Sequence, residues 1–338
     1  MKQLKFGLIG AGRIGHVHAE NLAYRIPEVD VTAISDLYQD AATACAEKFQ
    51  IPNIYDNHRA ILDDPDIDAV VICSSTETHT PFMIEAAQAG KHIFCEKPIA
   101  LDLAKIDEAL AVVEQSGVKL QLGFNRRFDA NYRHIQETVQ SGKIGTPHIV
   151  RITSRDPAPP PLEYVKSSGG IFLDMTIHDF DMARFLIGDE VEEVYATGGV
   201  LIDPTIGEVG DIDTAVITLK FRNGAIGIID NSRQAVYGYD QRAEVLGSKG
   251  SIESTNNTPY NTQLSTADNV QTANPLYFFL ERYMDSYADE MRAFIKAIQE
   301  DTTPVVTGID GRNPVVMGLA AGISYRENRP VKLSEISS

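Results

Sequence analysis

Short apolar, β-branched runs alternate with helix-patterned stretches over the first third of the chain. The runs are KFGLIG, VDVTAISD, DAVVICSS, KHIFCEKP and VKLQLGF, and between them residues 15–24, 39–49, 80–89 and 103–115 carry apolar side chains at helical spacing. Near-continuous apolar strands separated by helices predict βαβ units, and so a parallel sheet covered on both faces. The alternation stops near Gly123, which predicts a first domain over residues 1–123.

The remaining chain, 124–338, follows a different rule. Residues 129–141 read as a helix, HIVRITSRD as a strand, and PAPPP (157–161) as a loop leading to GGIFLDMTIHDFD (169–181), which has the apolar spacing of one helix. Strands are expected at VEEVYATGGV, TAVITLKF, GAIGIIDNSR and QRAEVLGSKGSI, a polar loop over 254–274, and closing helices near 284–299 and 312–328. Strands in succession predict a mostly antiparallel open sheet, so this part is expected to be an α+β domain. No internal repeat or low-complexity segment interrupts it.

Composition narrows the function classes. At 338 residues, 43% hydrophobic and 23% charged, the chain has the make-up of an ordinary two-domain globular protein. A net charge of −17 without any Lys/Arg run gives no attraction for nucleic acid or anionic lipid. Cys45, Cys73 and Cys95 lack metal-site spacing and read as small hydrophobes in a reduced compartment. MKQLKFGLIG starts a strand almost at once, with no signal-peptide pattern and no membrane-length apolar run, so the cytoplasm is the expected location.

Residues 10–15, GAGRIG, fit G-x-G-x-x-G. The hexapeptide alone is weak, but here it follows a strand and opens a helix, as dinucleotide binding requires. Gly10 permits the tight turn, Gly12 lets the backbone approach a pyrophosphate, and Gly15 lets helix and strand pack closely. The helix N-terminus favours the negative charge. Asp36 ends the second strand 21 residues after Gly15 (36 − 15), where a carboxylate accepts hydrogen bonds from ribose hydroxyls. It would repel a 2′-phosphate, and Leu37 and Tyr38 supply no cation, so NAD is expected over NADP.

Lys97 follows the strand in KHIFCEKP, and Glu96 and Lys97 should face the ligand crevice at the carboxyl ends of the strands. Pro98 biases the residue before it away from helix. A surface Lys–Glu pair is the plain alternative. In GGIFLDMTIHDFD, Asp174 and His178 are i and i+4 and would share a helix face, so the carboxylate could orient an imidazole base. A buried histidine satisfied by Asp174 is the competing reading.

Taken together, GAGRIG, Asp36, SSTETH (74–79), CEKP (95–98), GGIFLDMTIHDFD and GIDGRNPVVMG resemble the glucose–fructose oxidoreductase and inositol dehydrogenase family, in its order and spacing and over essentially the whole chain. Within it, RDPAPPP and YGYDQRAEVLG (237–247) resemble the inositol 2-dehydrogenases. The resemblance implies a Rossmann domain followed by a substrate-binding and oligomerisation domain. It places Lys97, Asp174 and His178 at the site of hydride transfer. It assigns Gly10, Gly12, Arg13, Ile14, Gly15, Asp36, Ser74, Thr76, His79, Glu96 and Lys97 to NAD. It directs Arg127, Asp156, Tyr237 and Tyr239 at substrate, together with Lys97, Asp174 and His178. Arg127 could instead pair with Asp129, and the tyrosines could be plain strand residues. Asp181 could orient His178 or meet Arg184. Where some inositol dehydrogenases have a histidine near the Pro-rich loop, this chain has Ser154, which bears on substrate identity.

His178, with a reference pKa of ~6.5, suits the role of base, Lys97 that of stabilising a developing alkoxide, and no metal is implied. The expected reaction is NAD-dependent oxidation of a cyclic polyol, foremost myo-inositol to 2-keto-myo-inositol. The alternatives are a scyllo-inositol or pyranose-sugar dehydrogenase, or a non-catalytic NAD-responsive regulatory protein. The second domain's sheet lacks an evident helical layer on its outer face, and the family often forms tetramers, so a homotetramer is expected.

Overall fold

The computed structural model describes residues 3–336. Two compact units emerge: residues 3–128 together with Met284–Asn313, and Asp129–Tyr283 together with residues 314–336.

The first unit begins β1 (Leu4–Ile9), α1 (Arg13–Tyr24), β2 (Val29–Ser35), α2 (Gln39–Phe49), β3 (Asn53–Tyr55) and α3 (His58–Asp63). It continues β4 (Ala69–Ile72), α4 (Thr76–Gln88), β5 (His92–Glu96), α5 (Leu103–Ser116) and β6 (Leu120–Gly123). The six strands are parallel in the order β3-β2-β1-β4-β5-β6. The order reverses at β1, so the loops after β1 and β4 flank a topological switch point. Five strands were expected from the pattern; the sixth, β3, is a three-residue edge strand too short to show any alternation.

Capping explains the clean helix starts. Asp102 accepts from the amides of Ala104 and Lys105 at the head of α5, and Asn57 from Ala60 in α3. A further buried layer comes from far along the chain. Met291, Phe294 and Ile295 pack with Phe6, Leu22, Ala69 and Phe94 in one core, the Phe294 ring 6.0 Å from both Phe6 and Phe94. Residues 284–313 therefore complete the first unit, which the linear division at Gly123 does not include. The three cysteines are free and buried, and burial pushes the Cys45 thiol up to about 11.

The second unit runs α6 (Ala130–Gln140), β7 (Pro147–Arg155), α7 (Leu162–Ser167), α8 (Gly170–Asp174), α9 (Thr176–Ile187), β8 (Val191–Gly199), α10 (Pro204–Glu208), β9 (Thr214–Phe221), β10 (Ile226–Ser232), β11 (Asp240–Gly247), β12 (Gly250–Ser254), β13 (Gln263–Ser265) and β14 (Val270–Thr272). The helices α11 (Phe279–Gln299) and α12 (Gly308–Glu327) and the short β15 (Val331–Lys332) follow. Seven strands form a sheet in the order β12-β11-β7-β10-β9-β8-β15. Every pairing is antiparallel except β7 with β10, which fits the expected mostly antiparallel sheet.

Three expectations need correction. The region 254–274 holds the small hairpin β13–β14. The stretch after PAPPP contains α7. And 169–181 is not one helix: α8 ends at Asp174 and α9 starts at Thr176, so Asp174 and His178, expected as i and i+4 of a single helix, stand on two successive helices. The Thr176 hydroxyl lies 3.2 Å from the Ile171 carbonyl and 2.5 Å from the Asn231 side chain, so a tertiary bond competes with the local ladder at the break.

Candidate active site

The glycine loop shows in space why each glycine is there. Gly10 has a φ of +104°, and a Cβ on it would sit 2.6 Å from the Cys73 carbonyl carbon. A Cβ on Gly15 would lie 2.1 Å from the Gly10 oxygen, so any larger residue forces α1 off β1. Gly12 is different: its Cβ would meet nothing within 4 Å, and as N-cap of α1 it offers no side-chain cap. Open space beside an uncapped helix N-terminus suits an anionic pyrophosphate. Arg13 is exposed and Ile14 half-buried beside it.

Asp36, just past β2, accepts from the Ala11 amide (2.6 Å) and the Tyr38 amide (2.8 Å). The predicted ribose carboxylate thus also ties down the glycine loop. Leu37 is 91% exposed and brings no cation to that edge. After β4, Ser74 and Thr78 bond through their hydroxyls at 2.6 Å, and Thr76 opens α4. His79 is buried; Nδ1 lies 2.7 Å from the Pro98 carbonyl oxygen and Nε2 3.0 Å from that of Ser74. It brackets two loops from beneath. Burial lowers its pKa, the two carbonyls only partly opposing.

Lys97 follows β5, half-buried, and the Lys97–Pro98 peptide is cis. Its amide donates to Glu96 Oε2 (3.3 Å), while Glu96 Oε1 lies 2.6 Å from His18 Nε2. Glu96 is therefore a buried support for the turn that carries Lys97, and the plain surface Lys–Glu pair is excluded.

In the second unit, Gly169 and Gly170 have φ of +88° and +76°, which lets the chain turn sharply from α7 into α8. The Asp211 carboxylate accepts from the Ile171 amide (3.0 Å) and would lie 2.8 Å from any Cβ on Gly170. Asp174 and His178 are both half-buried. The Asp174 carboxylate accepts from the Tyr164 hydroxyl at Oδ1 (2.7 Å) and from Arg233 Nη1 at Oδ2 (2.9 Å). Arg233 is 2% exposed, and its backbone amide donates to the Asp213 carbonyl (2.8 Å). Burial works against its charge, but Asp174, with Asp156 and Asp211 nearby, outweighs this and raises its pKa. Asp174 thus has a cation fixed behind it.

Asp179 is absorbed into a buried network, accepting from Asn231 Nδ2 at 2.8 Å, and Asn231 also meets Thr176. Asp181 lies 3.9 Å from Arg184, whose stronger partner is Glu190 at 2.6 Å. Arg127, on the 3-10 turn Asn125–Phe128 of the first unit, donates to Asp310 (2.9 Å). The suggested pair with Asp129 does not form, because Asp129 caps α6 and binds Arg282. Asp156 joins its backbone to Ser232 and Ala235. The Tyr237 hydroxyl donates to Asp240 (2.7 Å) and accepts from Arg155 (3.1 Å). Tyr239 is buried edge-on against Tyr283, and Ser154 bonds Gln241 at 3.0 Å.

Sequence reasoning missed Tyr164, Asp211, Arg233 and His18. Arg233 ends an apolar strand, and a cation there was a signal in principle. The others carry no local pattern.

A six-stranded parallel sheet with a glycine turn at its switch point and a carboxylate after β2 defines an NAD-binding dehydrogenase-type domain. Residues 4–124 match the model of the oxidoreductase family with NAD-binding Rossmann fold, and 132–253 that of the GFO/IDH/MocA C-terminal domain. The chain belongs to this GFO/IDH/MocA family of NAD-binding oxidoreductases. It is 51% identical to a myo-inositol 2-dehydrogenase of Thermotoga maritima, over 98% of this chain and 99% of that one. The crystal structure of a probable dehydrogenase from Thermotoga maritima superposes with a TM-score of 0.97 at 51% identity, covering 99% of this chain and 100% of that one. A scyllo-inositol dehydrogenase from Lactobacillus casei, solved with NAD(H) and scyllo-inositol, has a TM-score of 0.93 at 30% identity, covering 98% and 100%.

Proposed function

We propose that the protein oxidises the C2 carbinol of myo-inositol to 2-keto-myo-inositol, with NAD rather than NADP as acceptor. The observation that carries this is the full-length likeness to a myo-inositol 2-dehydrogenase at 51% identity. NAD, when bound, takes up the hydride from the carbinol carbon. His178 removes the hydroxyl proton, and Asp174, held by Tyr164 and Arg233, stabilises the resulting imidazolium. Lys97 donates to the same oxygen and offsets its developing charge. Arg127, Asp156, Tyr237 and Tyr239 are proposed to read the remaining hydroxyls.

Retention of Lys97, Asp174 and His178 speaks against a non-catalytic NAD sensor, which needs the cofactor loop but not these three. A scyllo-inositol specificity is the second reading, favoured by the likeness to the Lactobacillus casei enzyme. NADH formation measured with NAD and a panel of inositols and pyranoses separates the cases: highest kcat/KM on myo-inositol supports the proposal, preference for scyllo-inositol or glucose replaces it, and no turnover on any polyol overturns it. We also propose a homotetramer assembled through the outer sheet face, where Val216, Ile226 and Leu246 are exposed. Among the described residues, no helix is long and apolar enough to cross a membrane.

A further inference from the structure

Deep in the first unit, three ionisable side chains from three distant segments converge. His18 on α1, Glu96 at the end of β5 and Glu290 on α11 each bring a ring nitrogen or carboxylate oxygen within 4.8 Å of the others. All three are buried. Glu96 is tied on both oxygens, to His18 Nε2 and to the Lys97 amide, and Gly123 leaves it no room: a Cβ there would lie 2.8 Å from Glu96 Oε2. Glu290 is the opposite case. Neither of its carboxylate oxygens has a hydrogen-bond partner among the described residues. Only its backbone is held, by the Gln121 side chain at 2.6 Å.

Two carboxylates this close, out of water, do not both ionise. The proton belongs on the one without donors, and that is Glu290. Burial pushes its carboxyl well above the usual carboxylate range, and the charge on Glu96 pushes the same way. The titratable groups around it are His18 from α1, Glu96 from β5 and Cys73 past β4; Gln121 from β6 holds its backbone carbonyl, and Tyr287, earlier on the same helix, lies edge-on to His18 at 5.8 Å. Burial, reinforced by the neighbouring Glu96, raises the Cys73 thiol well above its usual pKa.

We propose that Glu290 is a positioning residue, kept as the neutral acid so that Glu96 carries a single negative charge and clamps the glycine-loop helix, through His18, to the main chain of Lys97. The functional half of this rests on the reading of Lys97 as the group that donates to the substrate oxygen. Ionisation of Glu290 at high pH would set a second charge against Glu96 and loosen the clamp.

The test compares Glu290→Ala, Glu290→Gln and, in parallel, Lys97→Met. Glu290→Ala should lower kcat by up to about 10²-fold with little change in KM, as displacement of a supported group does. Glu290→Gln, neutral and of the same shape, should restore turnover and remove the alkaline fall of kcat. Difference infrared spectroscopy should show a protonated carboxylic acid band in the wild type that Glu290→Gln abolishes. The infrared band reads the proton without activity, and survives even if Lys97→Met keeps wild-type turnover and the reading of Lys97 fails. A band unchanged in Glu290→Gln, an unchanged alkaline limb, or a stoichiometric metal ion lost on that substitution would overturn the proposal.

Discussion

Replacing Arg233 by Met removes the cation behind Asp174 while leaving an apolar side chain of similar length. At 2.9 Å and an effective dielectric of about 20, the pair's attraction is of order 6 kcal/mol, much of it offset by the desolvation of both ions. Breaking the pair from one side strands a half-buried carboxylate, which costs roughly 3–5 kcal/mol. For a unit of this size that lowers the melting temperature by about 6–20 °C. Asp174→Asn added to Arg233→Met removes the stranded charge, so the double variant should regain about 1–3 kcal/mol over the Arg233 single variant. Recovery stays partial, because Asp211 lies 3.9 Å from the same guanidinium. Urea unfolding of the four proteins in the cycle, followed by far-UV dichroism, measures each term. An Arg233→Met protein within 0.5 kcal/mol of wild type, the ordinary range for surface changes, would refute this account of the pair. So would a double variant whose loss is the sum of the singles.

His178→Ala should lower kcat by roughly 10²–10⁴ and abolish the low-pH limb of the rate profile, with NADH binding by fluorescence unchanged; near-normal turnover would place the base elsewhere. Asp36→Ser with Leu37→Arg should shift the ratio of kcat/KM toward NADP, and it also removes the bond to the Ala11 amide, so weaker NADH binding should accompany the switch. Burial would raise the Asp213 carboxyl, but the amides of Leu201, Asp203 and Ile202 and the Thr214 hydroxyl outweigh it and lower its pKa. A depressed folded-state pKa gives stability that is present above the unfolded value of about 3.9 and lost as pH falls through the folded one. The melting-temperature gap between wild type and Asp213→Asn should therefore be widest at neutral pH and close under acid; a gap that widens below pH ~4 contradicts it.

Elements with strong local causes were legible along the chain. α2 and β9 run over the expected residues because their apolar spacing and their neighbours agree. β3, α3, α7 and α10 were not, since three to six residues carry too little periodicity. The break at Met175 had no local cause either: Asn231, more than fifty positions away, competes for Thr176. The same division runs through the candidate site. Glycines whose φ is fixed by a turn could be named in advance, as could Asp36 by its spacing. Partners such as Arg233 for Asp174, or Glu290 for Glu96, become neighbours only through folding, and no short motif records them.

That α11 completes the core of the first unit bears on how the chain is made. The ribosome releases Phe128 some 156 residues before it reaches Met284 (284 − 128). At 5–20 residues per second the nascent unit waits about 8–30 s for the helix that covers Phe6 and Phe94. During that interval those aromatic faces have no native cover. Shielding by a chaperone, and slow codons placed after Asn313 rather than before it, should raise the yield of folded protein, whereas a fragment ending at Phe128 should aggregate.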